Sequence, residues 1–91
     1  MNGRDIIVYI SENSLQCEQL LDQLDQSDIH YECRNVTENQ KYLDQLQKEG
    51  IFGTPATFVN NKVVLGSQFN KIKQNLGMSE HYQSYNSFNK R

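Results

Sequence analysis

Apolar residues recur in this chain with two different spacings. From Asp5 to Ile10 they are continuous, Ile6-Ile7-Val8-Tyr9-Ile10, which predicts a strand buried on both faces. Beyond Ser14 the spacing becomes helical. Leu20, Leu21 and Leu24 form one stripe on a helix running to Gln26, with Ser14 as a suitable N-cap. Cys17 lies one turn before that stripe and shares its inward face. Ser27-Asp28 breaks the helix. Ile29 to Val36 then alternates, with Ile29, Tyr31 and Cys33 set against His30, Glu32 and Arg34, and reads as a second strand. Thr37 is expected to cap a second helix through about Glu49, with Tyr42, Leu43 and Leu46 inward and Gly50 as its stop.

After Gly50 the pattern changes. Ile51-Phe52-Gly53-Thr54-Pro55 reads as a loop. Ala56-Thr57-Phe58-Val59 and Lys62-Val63-Val64-Leu65 flank Asn60-Asn61, and because Asn tolerates positive φ, this predicts a tight antiparallel hairpin. Gly66 ends it. Phe69, Ile72, Lys73 and Leu76 give a short last helix stopped by Gly77. The order β-α-β-α-β-β-α describes an α/β domain: a right-handed βαβ unit, then a hairpin, in a mixed sheet with helices on both faces. Residues 78–91 are polar, with Tyr82, Tyr85 and Phe88 every third position, and are expected to be a short helix or a disordered tail beyond a domain of residues 1–77.

Composition narrows the function. Nine basic and eleven acidic residues leave a net charge of −2, which argues against nucleic acid or an anionic membrane as partner. No apolar run reaches the roughly 20 residues that span a bilayer. The opening Met1-Asn2-Gly3-Arg4-Asp5 leads straight into a strand and lacks export-signal architecture. Two cysteines in such a chain suggest a reducing, cytoplasmic setting rather than a disulfide framework.

The candidate chemistry lies in Ser11-Glu12-Asn13-Ser14-Leu15-Gln16-Cys17, between the first strand and the first helix. A helix start offers free N–H groups and a positive dipole end, which stabilise an anion. A thiolate is the most useful anion there, since its pKa falls below the free value of about 8.5. A dithiol site would read Cys-x-x-Cys. This one reads Ser14-Leu15-Gln16-Cys17, so the position of the nucleophile holds a hydroxyl.

The element order, the Cys-containing turn and a lone proline opening the hairpin resemble the thioredoxin fold and, more narrowly, the glutaredoxin family. The resemblance covers about residues 5 to 77 and implies a mixed four-stranded sheet flanked by three helices. It rests on Ile6–Ile10, the turn ending in Cys17, Gly53-Thr54-Pro55 and Val63-Val64-Leu65-Gly66. It implies that Pro55 is cis and faces the redox position, leaving the Thr54 backbone free to pair with an extended substrate. Leu15, Gln16, Thr54, Pro55 and Gly66 are the implied substrate-binding residues, with Ser14 at the nucleophile's place and Cys17 as the resolving thiol.

Within the family, glutathione-dependent members carry a basic residue before the active turn and acidic residues after the glycine turn. Glu12 and Ser67-Gln68 stand there instead. Leu15-Gln16 is similar to the Val-Gln or Met-Gln pair of NrdH-type redoxins, although the Trp-Ser-Gly-Phe segment of those proteins is absent. The resemblance therefore implies a monomeric redoxin without cofactor, reduced by a flavoprotein of the thioredoxin reductase type. Its substrate would be a protein disulfide such as that of ribonucleotide reductase.

Ser14 blocks the implied cycle, in which the first thiolate attacks the substrate disulfide and the second resolves the product. Either an engineered Cys→Ser change or a natural paralogue turned binding module would explain it. Plainer readings stand beside these. Ser14 can simply cap its helix, Cys17 can be an inert buried thiol, and Cys33 is expected to pack in the sheet. A Cys17–Cys33 disulfide is disfavoured by the spacing such a bond needs. His30 and His81 share no metal-ligand spacing with either cysteine. Glu12 and Glu18 flank the turn and would oppose a thiolate or select a basic partner surface. A redox design leaves the Ser14 side chain at the surface near Pro55.

Overall fold

In the computed structural model, which describes residues 6–77, the chain runs β1 (Ile6–Ile10), α1 (Leu15–Gln26), β2 (Glu32–Asn35), α2 (Gln40–Lys48), β3 (Ala56–Val59), β4 (Lys62–Leu65) and α3 (Phe69–Asn75). The strands form one sheet in the order β2-β1-β3-β4, with β1 parallel to β2 and antiparallel to β3. This is the expected element order. The polar segment 78–91 lies outside the described residues.

Strand register decides which residues share a face. Ile7 pairs with Phe58 and Phe58 with Val63, so these three form one row; Tyr9, Ala56 and Leu65 form the next row on the same face. Val8, Thr57 and Val64 form a row on the opposite face, continued across the parallel pair by Cys33. α1 and α3 cover this second face. There Leu20, Leu24 and Ile72, all without exposure, meet Val8, Val59 and Val64 in the larger of two cores. Truncating Leu20 to Ala would cost about 2–5 kcal/mol through lost transfer energy and the cavity left behind. α2 alone covers the first face, setting Leu46 against Tyr9 and Ala56. At its edge Arg34 donates to the Tyr9 hydroxyl at 2.8 Å and pairs with Glu32 at 2.6 Å.

Local chemistry explains most boundaries. Asn60 and Asn61 take φ of 49° and 69°, the two left-handed positions a two-residue hairpin turn requires. The Asn60 side-chain amide also donates to the Asn75 carbonyl at 3.0 Å, tying the hairpin to the end of α3.

Three expectations need correction. The second strand is shorter than Ile29–Val36, because the Ile29 N–H closes the end of α1 on the Leu24 carbonyl at 3.0 Å and Asp28 turns through φ 57°. Ile29 therefore packs as a helix-end residue and not in the ladder. Thr37 does not cap α2. Asn39 does, accepting from the Lys41 N–H at 3.0 Å, after an Asn35 side chain has gathered the N–H groups of Thr37 and Glu38. Cys33 does not pack inside the sheet; it is exposed, because β2 is an outermost strand. Cys17 and Cys33 are free thiols, the first buried and the second exposed.

Candidate active site

The turn between β1 and α1 is held from two sides. The Ser11 and Thr54 hydroxyls lie 2.6 Å apart, joining the turn to the loop before β3. The Glu12 N–H donates to the Thr37 hydroxyl at 3.0 Å, joining it to the loop after β2. Asn13 turns the chain through φ 60°, a conformation Asn tolerates better than most residues. Ser14 then follows in an extended conformation as the N-cap of α1. Its hydroxyl accepts the Cys17 N–H at 3.2 Å and its carbonyl accepts the Glu18 N–H at 3.1 Å.

Ser14 is half-buried, with neither a fully covered nor a fully open side chain. Leu15 is 68% exposed and Gln16 is also exposed, so the two residues between the site positions form its rim. Cys17 is 1% exposed and points into the protein. Glu12 and Glu18 are exposed on either side of the cap.

Across the turn, the Thr54–Pro55 peptide is cis. Thr54 is half-buried and Pro55 is buried. The Pro55 carbonyl accepts the Gly66 N–H at 2.8 Å, with Gly66 at φ 72°, so the chain leaving β4 is pinned beside the proline loop. Among the described residues, the Thr54 N–H and carbonyl have no backbone partner. A shallow groove of about 240 Å³ opens here, lined by Phe52, Thr54, Pro55, Leu65 and Gly66. Phe52 is 78% exposed and Leu65 50%, which gives the groove apolar edges.

The geometry thus brings Thr54, Pro55 and Gly66 into one groove, and the Ser11–Thr54 contact ties that groove to the turn carrying Ser14. Sequence reasoning missed Ser11 and Thr37, which fix the turn, and Phe52, which edges the groove. A polar turn residue facing a Thr before a proline was the available signal for the first. Another cleft, about 540 Å³ between α2 and the hairpin, lies on the sheet face lined by Ile7, Phe58 and Val63. Among the described residues no group of three or more His, Cys, Asp or Glu side chains could hold a metal ion, and no helix is long and apolar enough to cross a membrane.

A mixed four-stranded sheet, two helices on one face and one on the other, and a cis-proline loop beside the first helix start define a thioredoxin-like fold. The glutaredoxin family model matches residues 6–64, more than half of the chain. The protein belongs to the glutaredoxin family. Solved structures agree on the fold. A thioredoxin-like protein superposes with a TM-score of 0.73 at 25% identity, over 78% of this chain and 97% of that one. The glutaredoxin-like NrdH-redoxin from Escherichia coli, described as having a thioredoxin-like activity profile, gives 0.71 at 17% identity over 77% and 92%. A glutaredoxin from Archaeoglobus fulgidus gives 0.69 at 17% over 82% and 88%. No curated protein matches the chain.

Proposed function

We propose that this protein is the nucleophile-less form of a small thiol–disulfide redoxin that donates electrons to protein disulfides. The observation that supports this reading is the Ser11–Thr54 contact, which ties the turn carrying Ser14 to the loop of the cis Thr54–Pro55 peptide. An extended substrate segment can pair with the free Thr54 backbone there while its disulfide meets residue 14. A sulfur at residue 14 would receive the Cys17 N–H that the Ser14 hydroxyl now accepts, and a thiolate is stabilised by such a donor at a helix N-terminus. Cys17, buried one turn inward, is the resolving thiol. With serine in place the mixed disulfide cannot form, so the chain as it stands is inactive in the dithiol cycle.

The reductant in this reading is a flavoprotein of the thioredoxin reductase type, in a reducing cytoplasm, and ribonucleotide reductase is a candidate client. Exposed Glu12 opposes glutathione's carboxylates, and Ser67-Gln68 offers no charge to its amino group. A second reading follows from the cap itself. Ser14 is a competent N-cap, so serine is at home here, and a redox-inactive module that binds a partner segment at the Thr54 edge is its consequence. Whether Ser14 was engineered or inherited divides the two readings.

The test is disulfide reduction by the Ser14→Cys variant, with thioredoxin reductase and NADPH in one assay and glutathione with its reductase in another. Turnover with the first couple alone is expected. Turnover only with glutathione would replace this reading by a glutathione-dependent one, and none with either would leave the binding module.

A further inference from the structure

α2 does not close its own face of the sheet. It sets Leu46 against Tyr9 and Ala56, but the neighbouring row Ile7, Phe58 and Val63 is the floor of the open cleft of about 540 Å³. Ile7 and Phe58 are half-buried there and Val63 is 43% exposed. Glu49, at the end of α2, lines one side, and Asn61 and Lys62 of the hairpin line the other. Apolar surface of this kind is stabilised when covered, by about 25 cal/mol per Å².

The chain beyond α3 starts at the rim of this cleft. The Asn60 amide holds the Asn75 carbonyl at 3.0 Å, and the next hairpin residue, Asn61, lines the cleft. Gly77, at φ 78°, then turns the chain off the helix end. Even at about 1.5 Å per residue, residues 78–91 reach about 20 Å. The floor they have to cross joins three strands about 4.8 Å apart, so its ends are only about 10 Å apart.

The composition of that segment matches the cleft. Tyr82, Tyr85 and Phe88 recur at every third position, whereas sequences that stay solvated are poor in aromatic residues. Their rings suit a floor of Phe58 and aliphatic side chains. Glu80 precedes the aromatic residues and Lys90-Arg91 follows them. Lys62 stands on the hairpin side, where the chain arrives, and Glu49 on the α2 side. Among the described residues neither has an ion-pair partner.

We propose that residues 78–91 of the same chain occupy this cleft. Tyr82, Tyr85 and Phe88 cover Ile7, Phe58 and Val63, Glu80 lies toward Lys62, and Lys90-Arg91 toward Glu49. The exposed charges contribute little and fix direction, while the buried rings supply the stabilisation. The link through Gly77 makes docking intramolecular, and an effective concentration on the order of millimolar favours it over a second copy. Docking makes no use of residue 14 or of thiol chemistry, so it stands or falls apart from the redoxin reading.

The experiment uses the full chain with its valine methyl groups labelled for magnetic resonance. The Val63 methyls should show nuclear Overhauser contacts to the ring protons of Tyr82, Tyr85 or Phe88. Replacing all three rings (Tyr82→Ser, Tyr85→Ser, Phe88→Ser) should shift the Val63 methyl signals. Val8 and Val64, on the opposite face, should keep theirs and so report that the fold is intact. In an equal mixture of labelled and unlabelled protein, the contacts should remain within one molecule. Absence of the contacts, or a Val63 signal indifferent to the ring substitutions, would overturn the proposal. So would contacts only between molecules, which would assign the cleft to a second copy, or contacts only to residues 1–5.

Discussion

The hydroxyls of Ser11 and Thr54, 43 residues apart in sequence, meet at 2.6 Å and join the two loops on which the candidate site is built. One follows β1 and the other precedes β3, neighbouring antiparallel strands, so the contact extends the ladder by one step through side chains. Ser11→Ala and Thr54→Ala should each lower unfolding free energy by about 0.5–1.5 kcal/mol. A double-mutant cycle in denaturant melts should return a coupling of about 1 kcal/mol. In the Ser14→Cys background either substitution should also slow disulfide reduction, because the Thr54 edge is no longer tied to the turn. Strict additivity would show that the two hydroxyls do not cooperate.

Ser14 has a structural role whatever its redox history. Its hydroxyl satisfies the Cys17 N–H, one of the free donors of the α1 start. Ser14→Ala should cost about 1 kcal/mol, and Ser14→Gly only a few tenths. Thermal unfolding of the two variants gives the comparison; an Ala form as stable as the parent would remove the cap from the account.

Tyr31 reports on the join between α1 and β2. Burial, and then the hydrogen bond to Asp25 at 2.9 Å, push its pKa from 10.0 up to about 12. The folded state thus holds the phenol proton more tightly than the unfolded chain does. The stability this confers is complete below pH about 10 and is lost as pH rises toward about 12. Tyr31→Phe should abolish that part of the alkaline slope in urea midpoints, whereas an unchanged slope would assign it to other groups.

The two cysteines should separate by reactivity. Cys33 is exposed and Cys17 buried, so alkylation of the native protein followed by peptide mass spectrometry should find label on Cys33 first, and on Cys17 only after unfolding. Since partial burial, Cys17 and Glu38 raise the Cys33 pKa, its labelling should begin at higher pH than that of a free thiol. Glu38→Gln should bring the onset down. Early label on Cys17 would contradict its burial.

Much of this was readable from the chain because it depends on short-range rules. The Asn60-Asn61 hairpin, the Ser14 cap and the Cys17-Leu20-Leu24 stripe follow from φ tolerance, capping and helical period. What escaped depends on assembly. Alternation placed Cys33 on a buried face correctly by parity, but parity cannot say that β2 lies at the sheet's margin, where that face is left open. Thr37 and Asn39 are both good caps, but the Thr37 hydroxyl is taken by the Glu12 N–H and the Thr37 N–H by Asn35, which leaves the cap to Asn39. Thr57 reads as an ordinary strand residue until burial leaves its hydroxyl without a partner among the described residues.

The unequal division of the helices also orders the protein's local opening. α1 and α3 share the larger core, while α2 rests on a smaller one built on Tyr9, Leu46 and Ala56. Amides of α2 should therefore exchange with solvent through a partial opening of lower free energy, while β1 and β3, central in the sheet, keep theirs until the whole domain unfolds. The turn from Ser11 to Ser14 hangs from β1, and its partner loop leads into β3. Both halves of the site are thus anchored in the last part of the molecule to let go.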